Sequence, residues 1–321
     1  MIVTNKTAVK DFLIFGFPGL DPMYYGPVST LLFFTYMAIL VGNIFILVFV
    51  GVEKHLHKPT YLIFCHMAMN DLLFGTVTLP KMISRYWWDD KIISFGACFT
   101  QMFFVHSLGA IQSLLLLIMA LDRFIAVCFP LKYHVLLTNN IVSMACGLSW
   151  IGTFLRMMGV IYHALTLPYC KSNIVQCYCD HTSVTNLACG GDVKYVQTVA
   201  LILAMFSLLL PLSFILFSFI SIFVVALRIG NAEGRYKTFS TCTPQLLISC
   251  LYYVPRCFVY LAHYTGFSFS LDIRILLVLL YSLLPCAVNP IIYCFKTKYI
   301  KDILMKRLKN AKVGMKLHSN A

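Results

Sequence analysis

Residues 196–227 read VQTVALILAMFSLLLPLSFILFSFISIFVVAL, thirty-two positions without one Asp, Glu, Lys or Arg. A helix needs about 20 mostly apolar residues to cross the hydrocarbon core of a bilayer, so this stretch alone sets lipid as the solvent. Comparable runs recur at 27–51, 60–84, 98–122, 141–163, 240–263 and 272–295. In hydrocarbon every backbone donor and acceptor must be satisfied within the segment, which forces such runs into helices. The expected fold is therefore an all-α membrane protein, a bundle of seven transmembrane helices. The whole chain agrees: 321 residues, 60% hydrophobic, 12% charged, mean hydropathy +0.82, far from an ordinary soluble domain.

Orientation follows from the connecting segments, because cytoplasmic loops collect Lys and Arg. Fifteen of the 25 Lys and Arg fall on one side, among them Lys54, Lys58, Lys132, Arg235, Lys237 and the cluster from Lys296 to Lys316. Six fall on the other side, and four (Lys81, Arg85, Arg156, Arg256) lie inside the proposed helices. The N-terminus is expected outside and the C-terminus inside. One domain results, with residues 1–26 as the extracellular N-terminus, 27–295 as the helix bundle and 296–321 as a cytoplasmic tail. The net charge of +13 then faces anionic membrane lipid rather than nucleic acid. No removable signal peptide is evident in the first 25 residues. Asn5-Lys6-Thr7, on the exported side, is a glycosylation acceptor pattern or else an unmodified Asn in a tail.

Five of the 13 cysteines, Cys98, Cys170, Cys177, Cys179 and Cys189, face the oxidising exterior, where stable disulfides form. Spacing cannot choose their pairing. For the membrane-facing cysteines, small apolar filler is the simplest role.

Met119-Ala120-Leu121-Asp122-Arg123-Phe124 closes the third helix, and the run continues to His134 as MALDRFIAVCFPLKYH. An acid–base pair at a membrane boundary is costly unless partnered, so Arg123, paired with Asp122 or with groups on helix six, forms a latch that a ligand can bias, unless Arg123 only snorkels to the interface. This run resembles the MALDRYVAICYPLRY-type signature of vertebrate odorant receptors, within the rhodopsin-like G-protein-coupled receptors. Gly42-Asn43, Asp71, Trp150, the KTFSTC stretch at 237–242 and Asn289-Pro290-Ile291-Ile292-Tyr293 resemble the family's markers in order, over nearly the whole chain. KTFSTC is the most specific to odorant receptors. The second loop, Cys177-Tyr178-Cys179-Asp180-His181 followed by Leu187-Ala188-Cys189, resembles the class I, aquatic-type subgroup. Phe124 in place of Tyr and Cys177 in place of a polar or aromatic residue depart from the pattern.

The resemblance implies a Cys98–Cys179 bridge, with Cys170–Cys189 as a second staple and Cys177 as the odd thiol. It implies that Asp71, Asn43, Asn289, Pro290 and Tyr293 belong, with Asp122 and Arg123, to the activation switch, and that Asp71 marks a sodium site. Physically, an Asp71 buried in mid-helix needs a cation or polar partners such as Asn43 and Asn289, or stays neutral and hydrogen-bonded. Pro255 and Pro290 remove backbone hydrogen bonds and supply joints in helices six and seven.

The ligand is expected between the outer halves of the helices. Helical spacing lets His106, Gly109, Ala110 and Ser113 share one face of helix three, opposite Tyr252, Tyr253 and Arg256 on helix six, with His181 in the loop above. Arg256, one residue after a kinking proline, needs an anion or polar partner. Class I receptors resemble detectors of water-soluble ligands, carboxylic acids included, and often carry a basic residue near the outer end of helix six. Here the place near His263 reads Tyr264, so Arg256 either replaces that anchor or pairs internally. Lys81, Arg85 and Arg156 are expected to snorkel. The resemblance implies a small-molecule odorant and a stimulatory, olfactory-type heterotrimeric G protein as partners, a plasma-membrane location and no cofactor. The same machinery used as a metabolite sensor outside smell is the alternative. A transporter would need a through-pathway and repeats with interrupted helices, and an enzyme a catalytic constellation; neither is evident.

Overall fold

The computed structural model describes residues 9–264 and 270–296; Asn5 and the tail beyond Lys296 lie outside them. Seven long helices fill the described residues: α1 (Tyr25–Val52), α2 (Pro59–Trp87), α3 (Phe95–Cys128), α5 (Asn139–Leu165), α7 (Val193–Leu227), α8 (Ala232–Tyr264) and α9 (Leu271–Lys296). The short helices α4 (Tyr133–Leu136) and α6 (His181–Thr185) sit in the loops. Six of the seven carry an 18-residue window of mean hydropathy between 1.4 and 2.7. The seventh, α8, starts eight residues before the apolar run at 240, because Glu233, Arg235 and Lys237 continue the helix beyond the stretch that hydrocarbon would demand.

The bundle is turned inside out relative to a soluble one. Leu31, Phe34, Leu155, Phe206 and Phe217 point outward, while Asn43, Asn70, Asp71, Gln112, Asp122 and Asn289 are buried. Lipid accepts the apolar exterior, and the polar groups find partners only between helices. α3 lies in the middle, packed against α2, α5, α7 and α8, while α9 closes the ring against α1, α2 and α8. Small residues let the outer ring close: a Cβ on Gly42 of α1 would stand 3.1 Å from the Pro290 ring of α9. Helix starts follow ordinary capping, with Ser94, Thr138 and Asp192 accepting from Ala97 N, Ile141 N and Tyr195 N.

One end of the bundle carries a small sheet that the sequence pattern did not announce. β1 (Asp11–Ile14) runs between β2 (Ile92–Ser94, antiparallel) and β3 (Asn173–Ile174, parallel), in the order β2-β1-β3. Phe12 and Ile14 are fully buried against Cys98, Phe99, Met102 and Val184. Arg85 is buried rather than snorkelling: Nε donates to Ile14 O at 3.1 Å, Nη2 to Phe15 O at 3.1 Å, and Nη1 pairs with Asp89 at 2.6 Å. Gly16 follows at φ +72°, where a Cβ would strike Tyr86 Oη. The chain thus enters α1 from a pinned strand. Lys81 reaches Asp90 at 2.6 Å, an ion pair at the helix end.

Two disulfides staple the same end, Cys98–Cys179 (Cα–Cα 5.5 Å) and Cys170–Cys189 (5.8 Å). Cys177 is unpaired and buried, its Sγ 3.8 Å from Tyr86 Oη. Burial pushes its thiol up to about 12, so it stays a protonated, unreactive side chain.

Candidate functional site

Tyr252 and Arg256 are one turn apart on α8 and share a face. Arg256 Nη1 donates to Tyr252 Oη at 2.6 Å, and its guanidinium lies 4.0 Å from the centroid of the Tyr252 ring and 4.8 Å from that of Tyr281 on α9. Tyr252 Oη in turn donates to Gly109 O of α3 at 2.6 Å. Gly109 lies against the guanidinium: a Cβ there would meet Nη1 at 3.8 Å, an ordinary contact. The cation is therefore held by aromatic faces and a phenol.

Beneath it opens a cavity whose walls include Gly109, Gln112, Tyr252, Arg256, Tyr281 and Ser282, and whose floor includes Asn70, Asp71 and Cys286. Its volume is about 10 Å³, room for about one water. Gly109, Tyr252 and Arg256 thus meet at one place. Ser113 and Tyr253 form an adjacent hydrogen bond of 2.6 Å, with Ser113 Oγ also donating to Ser207 O at 3.0 Å. His106 and His181 stand apart from the cavity and hold the loop: His106 Nε2 accepts from His181 N at 3.0 Å. Burial, with His106 as a like neighbour, drives the His181 imidazole down to about 4, against the pull of Asp180. Ala110 is half-buried and is absent from the cavity wall.

At the floor, Asn289 Nδ2 donates to Asp71 Oδ2 at 2.8 Å. Asn43 turns elsewhere, giving its amide to Ile39 O and Cys286 O at 2.9 and 3.0 Å, because those carbonyls flank it while Asn289 already occupies the carboxylate. Asp71 Oδ1, Asn70 Oδ1 and Asn289 Oδ1 are buried with no donor among the described residues. Orphaned oxygens of this kind suit a hard cation, which takes oxygen ligands, so the donor set fits sodium. No group of three or more His, Cys, Asp or Glu gathers among the described residues. Nearby, Pro290 is buried against Gly42, and the fully buried Tyr293 stacks on Phe64 at 4.2 Å.

The far end of α3 carries the acid–base pair. Asp122 is fully buried and accepts from four donors: Arg123 Nε at 2.9 Å, Arg123 Nη2, Thr60 Oγ1 at 2.9 Å and Tyr133 Oη at 2.8 Å. Arg123 also reaches Thr60 Oγ1. The pair closes on α2 and α4 rather than on the helix that carries Arg256. Burial and the Asp122 carboxylate together raise the Tyr133 phenol, which stays a donor.

The sequence of this seven-helix bundle has known counterparts. The olfactory receptor family model matches residues 32–311. The chain belongs to the olfactory receptor family. Human olfactory receptor 52N5 is 36% identical over 309 residues, covering 94% of each chain. Human olfactory receptor 52K1 is 34% identical over 309 residues, covering 95% of this chain and 98% of its own. This olfactory receptor is accordingly a multi-pass plasma-membrane receptor and not an enzyme. Sequence reasoning missed Gln112, Tyr281 and Ser282, which complete the cavity from α3 and α9, and Thr60 and Tyr133, which complete the hydrogen-bonded cluster around Asp122. Each was an ordinary polar residue until the helices were set side by side; a signal existed only in Tyr133, already part of the family signature.

Proposed function

We propose that this olfactory receptor lies with its sheet-bearing end outside the cell, admits a small, water-soluble carboxylic acid beside Arg256, and activates a stimulatory heterotrimeric G protein that raises cyclic AMP. The observation that carries the reading is the cavity that brings the Arg256 guanidinium at its upper wall together with Asp71 and Asn70 at its floor. A carboxylate matches the guanidinium in charge and planar geometry. By drawing Arg256 off the Tyr252 phenol it shifts α8 about Pro255, which lies inside the helix and lacks a backbone N–H to donate.

A ligand moves this equilibrium only by its differential affinity for the two arrangements. Asp71, Asn70 and Asn289 would hold a sodium ion in the resting arrangement, where it supplies countercharge. The inner docking surface for the G protein consists of residues 119–133, 228–241 and the start of the tail, where the Asp122–Arg123 latch opens. The excess of Lys and Arg on that side supports the orientation, and the same orientation exposes Asn5 for glycosylation.

The experiment expresses the receptor with an olfactory-type stimulatory G protein and records cyclic AMP against small acids, amines, alcohols and esters, then repeats with Arg256→Gln. Loss confined to acids is expected. An acid response unchanged in Arg256→Gln removes Arg256 from the pocket.

A further inference from the structure

We infer that a second cavity, between α5 and α7, is a binding site for a carboxylic acid with a short aliphatic tail, separate from the Arg256 cavity and independent of its role. The second cavity measures about 170 Å³, and its walls include Arg156, Gly159, Val160 and His163 of α5 with Val196 and Leu203 of α7. On each helix the lining residues recur at i, i+3, i+4 and i+7 (156, 159, 160, 163 and 196, 199, 200, 203), one continuous stripe on each facing surface. The α7 stripe is wholly aliphatic. The α5 stripe brings the polar groups, Arg156 well inside the helix and His163 exposed near its end.

Arg156 is the feature that asks for an anion. It lies nine residues before the end of α5, about 13 Å into the span at the helical rise. It donates Nη1 to Ser207 Oγ, yet its Nε is buried with no acceptor, and no ion pair among the described residues includes it. A cation at that depth is costly unless partnered, and a neutral hydroxyl meets only one of its five donors. A carboxylate entering the cavity would pair with the Arg156 guanidinium that lines it, and a small turn of the side chain would let Nε and a terminal nitrogen bind it side by side, the geometry that guanidinium favours.

Size sets the tail. A dry cavity of about 150 Å³ takes benzene, six carbon atoms, so this one holds roughly six or seven non-hydrogen atoms, an acid of about four or five carbons. The same chemistry reaches the site from two sources, a water-borne short acid or the carboxyl end of a fatty acid already in the bilayer.

The test uses the full chain in lipid nanodiscs and a pentanoic acid bearing a diazirine on its tail. Photolabelling is expected within 156–163 and 196–203, suppressed by pentanoate at a concentration at least tenfold below that needed of pentanamide, the difference a charged hydrogen bond makes. Gly159→Leu fills the cavity, and because nothing lies within 4 Å of a Cβ at Gly159 the variant should keep its melting temperature and lose the label. Arg156→Gln should weaken competition by pentanoate at least tenfold, and Arg256→Gln should leave the label in place. Stronger competition by hexadecanoate than by pentanoate would identify the membrane as the source, and the reverse the aqueous phase. Equal competition by pentanoate and pentanamide, or unchanged labelling in Gly159→Leu, would overturn the inference.

Discussion

Removing one oxygen atom from Tyr133 should raise the receptor's activity in the absence of ligand. In the latched arrangement Tyr133 Oη donates to Asp122 Oδ1 at 2.8 Å, while the other donors reach Oδ2. Asp122 is fully buried, so Tyr133→Phe leaves Oδ1 without a donor among the described residues. A hydrogen bond to a charged group contributes about 1.5–3 kcal/mol. Tyr133 itself is only half-buried, and water will replace part of the lost bond, so the lower end applies. About 1.5 kcal/mol is roughly a tenfold shift in the latched-to-open ratio. A resting receptor that is open about 1% of the time would then be open about a tenth of the time. Basal cyclic AMP, normalised to receptor at the cell surface, reads this directly, and the half-maximal concentration of any agonist should fall in step. Thr60→Val should act in the same direction and combine with Tyr133→Phe non-additively, because both donors serve one carboxylate. Unchanged basal and evoked signals with normal surface display would refute the latch.

Three further expectations concern the frame around the site. Because the folded-state His181 is depressed to about 4 from an ordinary 6.5, its contribution to stability is complete above pH 6.5 and is lost as pH falls toward 4. The melting temperature of the purified receptor should drop across that window, and His181→Gln should flatten the drop. The loop-entropy relation gives about 4.5 kcal/mol for the Cys98–Cys179 bridge, which spans 81 residues, and about 3.2 kcal/mol for Cys170–Cys189, which spans 19. Serine at Cys98 should therefore lower the melting temperature more than serine at Cys170. Gly42→Ala puts a methyl group 3.1 Å from the Pro290 ring; because that ring is buried and fixed to the α9 backbone, the crowding of about 1–3 kcal/mol should exceed the gain of about 1 kcal/mol in helix propensity, read as a slightly lower unfolding midpoint than wild type.

The apolar runs located all seven helices because hydrocarbon imposes its rule on each segment separately; no partner helix is needed to read Val196–Leu227. The pairwise facts were harder to read. Strands of two to four residues such as Asn173–Ile174 are too short to show alternation, and Arg85 gives no sign in sequence of the carbonyls at Ile14 and Phe15, seventy positions away. Helical spacing put Gly109, Tyr252 and Arg256 on facing surfaces, and the three line one cavity. It could not orient α9 against α8, so Tyr281 escaped notice, nor show that Asn43 spends its amide on backbone carbonyls.

A chamber with room for a single solvent molecule under Arg256 means that no guest finds a finished berth. On the reading proposed above, an agonist seated beside Arg256 must part Tyr252 from Gly109 and spread the walls before it gains anything, so weak visitors are silently refused. Discrimination in such a detector resides less in what the walls touch than in what their separation demands.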